Sequence, residues 1–298
     1  MKDGSPFELE RALACQDMVG EGPLWSAGEQ ALYWVDILGC RFHRYHLPSG
    51  AWDTFRLDTS VGALGLRPSG GLVLATGRGF ALYDLPSRSV EWLALPAFNP
   101  ARMRCNDGKV DRQGRFWAGT MGLESSERAL LQGKLYRLDP DRSVYEMDSG
   151  FALINGLGWS PDDTRMYAVD SEQRVVYQYD FDASTGSIAN RRVLLDTVQE
   201  PGVPDGLTVD AEGGIWVAYW DGWKIARYNA NGKKLAQLDL PVQCPTSCAF
   251  GGPNLDELYI TSAWEELSAE QRASQPLAGD LFRARPGIRG EPCQLFKG

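Results

Sequence analysis

The chain has 298 residues, 43% hydrophobic and 23% charged, which excludes a disordered or collagen-like polymer. Lys and Arg total 30 against 39 Asp and Glu, a formal net charge of -9. Nucleic acid and anionic membrane surfaces are therefore not expected partners, because both need a basic footprint.

The first six residues, Met1 to Pro6, contain no apolar core of a signal peptide, so none is expected. A strand is expected over 7–13. No later apolar run approaches the ~20 residues of a membrane span. Downstream, short runs of Val, Leu, Tyr, Trp and Phe alternate with Gly/Pro/Asp/Ser turns, and helical periodicity is scarce. One turn pattern recurs six times, over 25–33, 67–73, 111–117, 160–167, 210–216 and 252–259. Each copy reads as a tight hairpin into an aromatic-aliphatic strand. A second run follows each turn at a similar distance, at 42–45, 80–84, 134–140, 175–180, 225–229 and 280–283, and predicts a third strand. Six repeats of about 40–50 residues with about four strands each are the period of an all-β, six-bladed β-propeller. We read residues 1–298 as one such domain. A two-sheet sandwich is disfavoured by six repeats in phase. The strand over 7–13 is expected to complete the last blade beside Gln294-Leu295-Phe296, leaving no open edge. Residues 264–279, with a short helical pattern at Glu265 to Arg272, are expected to leave one face as a loop.

Two residue counts narrow the chemistry. The only histidines are His43 and His46, in one stretch, so a Ser-His-Asp or Cys-His mechanism would have to use one of them. The six cysteines form no CxxC pair, which removes zinc-finger spacing and predicts reduced thiols in a cytoplasmic protein.

In a propeller the innermost strands line the central channel, so equivalent repeat positions converge. The position four residues before the first turn and five before each of the others is Glu21, Gly62, Asn106, Asn155, Asp205 and Ser247. Asn-Gly and Asp-Gly, taken singly, are ordinary turn dipeptides. Their shared phase instead points to a ring of oxygen donors. Two carboxylates and an amide, without Cys or His, suit Ca²⁺, Mg²⁺, Mn²⁺ or Fe²⁺ better than structural zinc, although Zn²⁺ stays open. Arg104 and Asn106, two apart on one strand face, read as a donor group suited to polyhydroxyl or carboxylate recognition, or Arg104 as a structural partner of a nearby Asp. Glu124 lies in the loop after the next strand and reads either as an acid over the channel mouth or as a solvated charge. Trp220 reads as an apolar wall or as plain packing.

Four segments together resemble the SMP-30/gluconolactonase/regucalcin-like family. They are Gly20-Glu21-Gly22-Pro23-Leu24-Trp25, Arg104-Cys105-Asn106-Asp107-Gly108-Lys109-Val110-Asp111 with 114–121, Asn155-Gly156-Leu157 with 160–162, and Pro204-Asp205-Gly206. The resemblance covers almost the whole chain. It implies a six-bladed propeller with one divalent metal in its channel that hydrolyses sugar lactones to aldonic acids. By position it implies Glu21, Asn155 and Asp205 as metal ligands and Asp205 as general base. Arg104, Asn106 and Glu124 would contact substrate, although the Gly122-Leu123 flank of Glu124 departs from the family pattern. The expected reaction has the metal polarising the carbonyl while Asp205 assists the attacking water. The substrate would be a glucono-, xylono-, arabinono- or galactonolactone, and the protein a monomer or weak homo-oligomer. A non-catalytic divalent-metal-binding propeller and a propeller esterase or phosphotriesterase are the alternatives.

Overall fold

Each repeat folds as one four-stranded antiparallel sheet in the computed structural model, which describes residues 8–93, 98–130 and 132–298. Blades 1 to 5 run in simple strand order over residues 20–56, 61–92, 103–151, 154–196 and 203–239. Blade 6 takes three strands from residues 244–285, and its fourth, outermost strand is Glu8–Leu13. The architecture is an all-β, six-bladed β-propeller. Every expected turn joins the first and second strands of a blade, and every second run is a third strand.

Burial explains the sequence pattern. Second strands such as Ala31–Asp36 are buried at every position, because each lies between two neighbouring blades. They read as continuous apolar runs rather than alternating ones. Outer strands such as Ser187–Asp196 are mostly exposed and polar. The core is divided into six clusters, and each sits at one blade–blade interface. Phe80 and Phe116 join blades 2 and 3, Trp216 and Phe250 join blades 5 and 6, and Trp25 and Tyr259 join blades 6 and 1. Buried Asp111 and Asp210 pin two of the recurrent turns. Asp210 accepts from the backbone N–H groups of Glu212 and Gly214, from Trp216 Nε1 at 2.8 Å and from Arg227 Nε at 2.8 Å.

Ring closure differs from expectation in its partner. Glu8–Leu13 pairs with Leu281–Arg285, with Glu8 opposite Arg285 and Leu9 opposite Ala284, and does not pair with 294–296. Phe7 lies outside the described residues. The third strand of blade 6 offers a full antiparallel edge, which Glu8–Leu13 takes up. The tail crosses the opposite end of the channel instead. Leu295 makes a single parallel bridge to Leu66, and Phe296 is buried between blades 2 and 3. The 264–279 excursion contains a helix at Ala269–Ser274, started by a capping box in which Ser268 and Gln271 satisfy each other's backbone N–H. A one-turn helix at Ser125–Arg128, absent from the sequence reading, follows the second strand of blade 3.

Candidate metal and substrate site in the channel

The innermost strands are Gly20–Ser26, Val61–Leu66, Met103–Val110, Ile154–Trp159, Val203–Val209 and Cys244–Gly251. All six carry a register shift against the second strand, and each shift falls at the ring position or beside it. In blade 4, for example, Asn155 and Gly156 lie between the pairs Ile154↔Asp170 and Leu157↔Ala168, two residues facing one. These are β-bulges, which re-aim side chains that a regular pleat would send elsewhere. The Asn-Gly and Asp-Gly dipeptides are thus not loop turns. In blade 6 the extra residue is Thr246, and Ser247 is already back in register with Thr261.

Contacts close the ring. A Cβ on Gly62 would stand 2.1 Å from Asn106 O, one on Gly156 2.2 Å from Leu207 N, and one on Gly206 2.1 Å from Ser247 Oγ. Backbones of successive blades touch there because these residues lack side chains. Asn106 Nδ2 donates to Ile154 O at 2.9 Å and to Asn155 Oδ1 at 3.1 Å, joining blades 3 and 4. Thr246 Oγ1 donates to Gly20 O at 2.5 Å, joining blades 6 and 1.

Glu21 and Asp205 are both 5% exposed, and no ion pair holds either among the described residues. Each carboxyl is pushed well above the ordinary carboxylate range. Burial is the main cause; repulsion from Asp205 and then Asp107 adds to it at Glu21, and repulsion from Asp107 at Asp205. Asp107, which the sequence reading left without a role, is raised to about 6, chiefly by burial. Three buried carboxylates therefore crowd one end of the channel. Such crowding is costly unless a cation relieves it. Asn155 Nδ2 donates to Ser171 Oγ at 3.1 Å, which fixes its amide with Oδ1 on the Asn106 side. Among the described residues, no three His, Cys, Asp or Glu side chains group as a metal cage. The third donor would then be the Asn155 amide. Glu21, Asp205 and Asn155 are the residues that could hold a hard, oxygen-seeking dication, and the donor chemistry fits one.

Arg104 is adjacent. Its Nη1 donates to Cys105 O at 3.0 Å and to Asn106 Oδ1 at 2.6 Å. Its Nε and Nη2 have no protein partner among the described residues. Burial lowers its pKa to about 10, so it stays charged at neutral pH. Asn106 is different from expectation: both amide hydrogens and one lone pair are spent on the protein. Glu124 caps the one-turn helix without a side-chain cap bond and is exposed. Among the described residues, no contact brings it to the ring carboxylates. Trp220 is half-buried beside Glu266. The histidines are elsewhere. His43 is buried on the third strand of blade 1 between Asp17 Oδ1 at 3.0 Å and Thr54 Oγ1 at 2.9 Å, and His46 contacts Ser49 in solvent. All six cysteines are free.

Beneath the ring the channel widens into a cavity of about 120 Å³, floored by Glu291 to Gln294. Lys109 crosses it. The sequence reading missed Asp107 and Lys109, although both lie inside the quoted 104–111 segment. Their signal is spacing: after a bulge, the alternation that puts Asn106 in the ring turns Lys109 into the channel as well.

The model of the SMP-30/Gluconolactonase/LRE-like region matches residues 19–264. Regucalcin of Danio rerio is 36% identical over 99% of this chain and 100% of its own. The 6-deoxy-6-sulfogluconolactonase of Pseudomonas putida is 38% identical over 94% of this chain and 96% of its own. The structure of a calcium-binding protein, regucalcin, from Agrobacterium tumefaciens superposes with a TM-score of 0.92 at 28% identity, covering 98% of both chains. The family match spans five whole blades and the two inner strands of the sixth, and includes every ring position, so this chain belongs to the SMP-30/gluconolactonase/LRE-like family.

Proposed function

We propose that the chain hydrolyses a sugar lactone to its aldonic acid at the ring, with one divalent cation held by Glu21, Asn155 and Asp205. The observation that carries this is the pair of buried carboxylates, Glu21 and Asp205, left without an ion pair beside a fixed amide oxygen. The 38% identical lactonase supports the reaction class. The bound cation would supply positive charge for the lactone carbonyl oxygen, an effect of several kcal/mol. Arg104 presents Nε and Nη2 to the hydroxyl or carbonyl oxygens of the substrate and fixes its orientation. Asp205 orients the attacking water and takes its proton. Water oxygen bonds to the carbonyl carbon, the ring C–O bond breaks, and the ring oxygen leaves as a hydroxyl after gaining a proton. Asn106 acts at one remove, through Asn155 and Arg104. Glu124, exposed after the second strand of blade 3, would contact only distal hydroxyls of the substrate. No helix among the described residues is long and apolar enough to cross a membrane. The free cysteines favour a reducing compartment such as the cytoplasm.

The test is a pH-indicator assay over a panel of aldonolactones, with chelated protein and with each divalent metal restored. Turnover that requires metal supports the proposal, and full activity after chelation removes it. Asp205→Asn separates the roles. If hydrolysis survives with metal still bound, Asp205 is not the base. The Agrobacterium tumefaciens relative, a calcium-binding protein, supports a second reading, a propeller that binds metal without turnover. It predicts tight binding and no hydrolysis of any lactone in the panel.

A further inference from the structure

Lys109 lies on the inner strand of blade 3, yet its ammonium reaches the inner strand of blade 5. Nζ donates to Leu207 O at 3.3 Å and to Thr208 Oγ1 at 3.4 Å. Blade 4 is bypassed, so the side chain spans the channel directly below the ring. Among the described residues it forms no ion pair within 4.0 Å, and it shares the 120 Å³ cavity with Asp107. Lys109 is half-buried, and an ammonium held inside the channel without a salt bridge is still costly, so something in its surroundings has to favour it.

Its neighbours are a carbonyl oxygen, a hydroxyl oxygen and, further off, a carboxylate. These are the hard donors that would otherwise take a metal ion. Both contacts are longer than the ~2.7–3.2 Å of an ordinary N–H···O bond. That looseness suits a cation in a roomy oxygen pocket better than a tightly pinned donor. The charge count agrees. Glu21, Asp107 and Asp205 are balanced within the channel by Arg104 and Lys109, since Arg112 and Glu291, which also line the cavity, pair with each other at 3.2 Å. One dication at the ring more than covers the deficit, and a second would leave a large excess of positive charge.

We propose that the Lys109 ammonium is a tethered cation filling a second cation position beneath the ring, and that it thereby restricts the channel to a single divalent ion. Deleting the side chain opens that position to a small cation, either a second divalent ion or an ammonium-sized monovalent one. The ammonium also holds the Leu207 carbonyl, two residues from Asp205, so it steadies the bulge that carries this carboxylate. The proposal rests on the ring reading only for the first ion.

The test uses the full chain, wild type and Lys109→Ala. Bound metal is counted by elemental analysis after equilibration with Ca²⁺ or Mn²⁺ and desalting. Thermal midpoints are compared in ammonium, methylammonium and tetramethylammonium chloride at equal ionic strength. Wild type should hold one ion and show no preference among the salts. Lys109→Ala should take a second equivalent, and its midpoint should rise by several degrees in ammonium or methylammonium but not in tetramethylammonium, which is too large for the vacated space. Lys109→Met, which fills the same space with apolar chain, should show neither gain. A second ion in the wild type, or Lys109→Ala with one ion and no salt preference, overturns the proposal. If the alanine variant does not fold, Lys109→Ser provides the same readouts, and the wild-type count decides independently. Wild type with no ion at all would instead refute the ring reading, while the amine rescue would still report on Lys109.

Discussion

Asn106→Ala distinguishes a positioning residue from a substrate contact. The family resemblance assigns Asn106 to substrate, but its amide is occupied within the protein. The mutation removes three bonds: from Asn106 Nδ2 to Ile154 O and to Asn155 Oδ1, and from Arg104 Nη1 to Asn106 Oδ1 at 2.6 Å. Neutral bonds are worth about 1 kcal/mol each and the charge-assisted one about 1.5–3, so the loss is about 3–5 kcal/mol before channel water recovers part of it. A folded domain with about 5–15 kcal/mol of stability survives that, at a lower midpoint. The functional effect is transmitted in two directions. Asn155 loses the donor that fixes its oxygen, which should weaken divalent-ion binding about 10–100-fold, as for other residues that orient a ligand. Arg104 loses the acceptor that fixes its guanidinium, and misplacement of a positioning group by about 1 Å can cost about 100-fold in rate. The assay pairs calorimetric titration of metal with kcat and KM on the best lactone, at saturating metal. Loss of metal affinity together with kcat is expected. If the variant binds metal as wild type does and only KM rises, Asn106 touches substrate directly and the positioning argument is wrong.

Stability of the metal-free protein should respond to pH in a defined direction. The folded pKa values of Glu21, Asp107 and Asp205 lie above their unfolded values, so the folded state binds more protons in the intervening range. Their favourable contribution is complete below about pH 4 and is lost as pH rises through the folded values, about 6 for Asp107. For Asp107 alone that is about 3 kcal/mol. The melting gap between chelated and metal-saturated protein should therefore widen from pH 5 to pH 8; a constant gap would show that metal does not relieve this crowding. Gly206→Ala places a methyl 2.1 Å from Ser247 Oγ and should force blades 5 and 6 apart at Asp205, costing about 1–3 kcal/mol and lowering metal affinity. Unchanged metal titration in that variant would mean that the ring does not depend on this close approach. His43→Ala takes one of three partners from buried Asp17, which keeps Trp34 Nε1 and Arg41, and empties a buried site against Trp34; it should cost about 2–4 kcal/mol by urea denaturation while leaving kcat of the folded fraction unchanged. A lower kcat would bring a histidine into the reaction.

What the sequence made legible, and what it hid, follows from the kind of information each feature carries. Blade count and the first three strands of a blade were readable because a strand buried on both faces must be apolar throughout. The turns before them need Gly, Asp or Pro at fixed offsets. Ring positions were readable because a repeat transfers one residue's radial place to the others. The partner of Glu8–Leu13 was not, since any free antiparallel edge satisfies an alternating strand, and only the assembled blade 6 shows which edge is free. The bulges escaped because they are defined by the opposite strand: Asn155-Gly156 has the composition of a turn until Val169 is seen facing both residues. That omission hid Lys109. With regular alternation after Asn106, a lysine three residues on points away from the channel. With one extra residue inserted it points in, towards Leu207 and Thr208. A bulge at the same height in six strands thus brings the donors together above and sends a lysine across the channel below. Shifting the blade 3 register, by deleting one residue of the Asn106-Asp107 bulge, should therefore weaken ion binding, through the lost hold of Asn106 on Asn155, and abolish the Lys109 crossing together. Loss of only one of the two would separate the place of Asn106 from the direction of Lys109, which this geometry derives from a single backbone insertion.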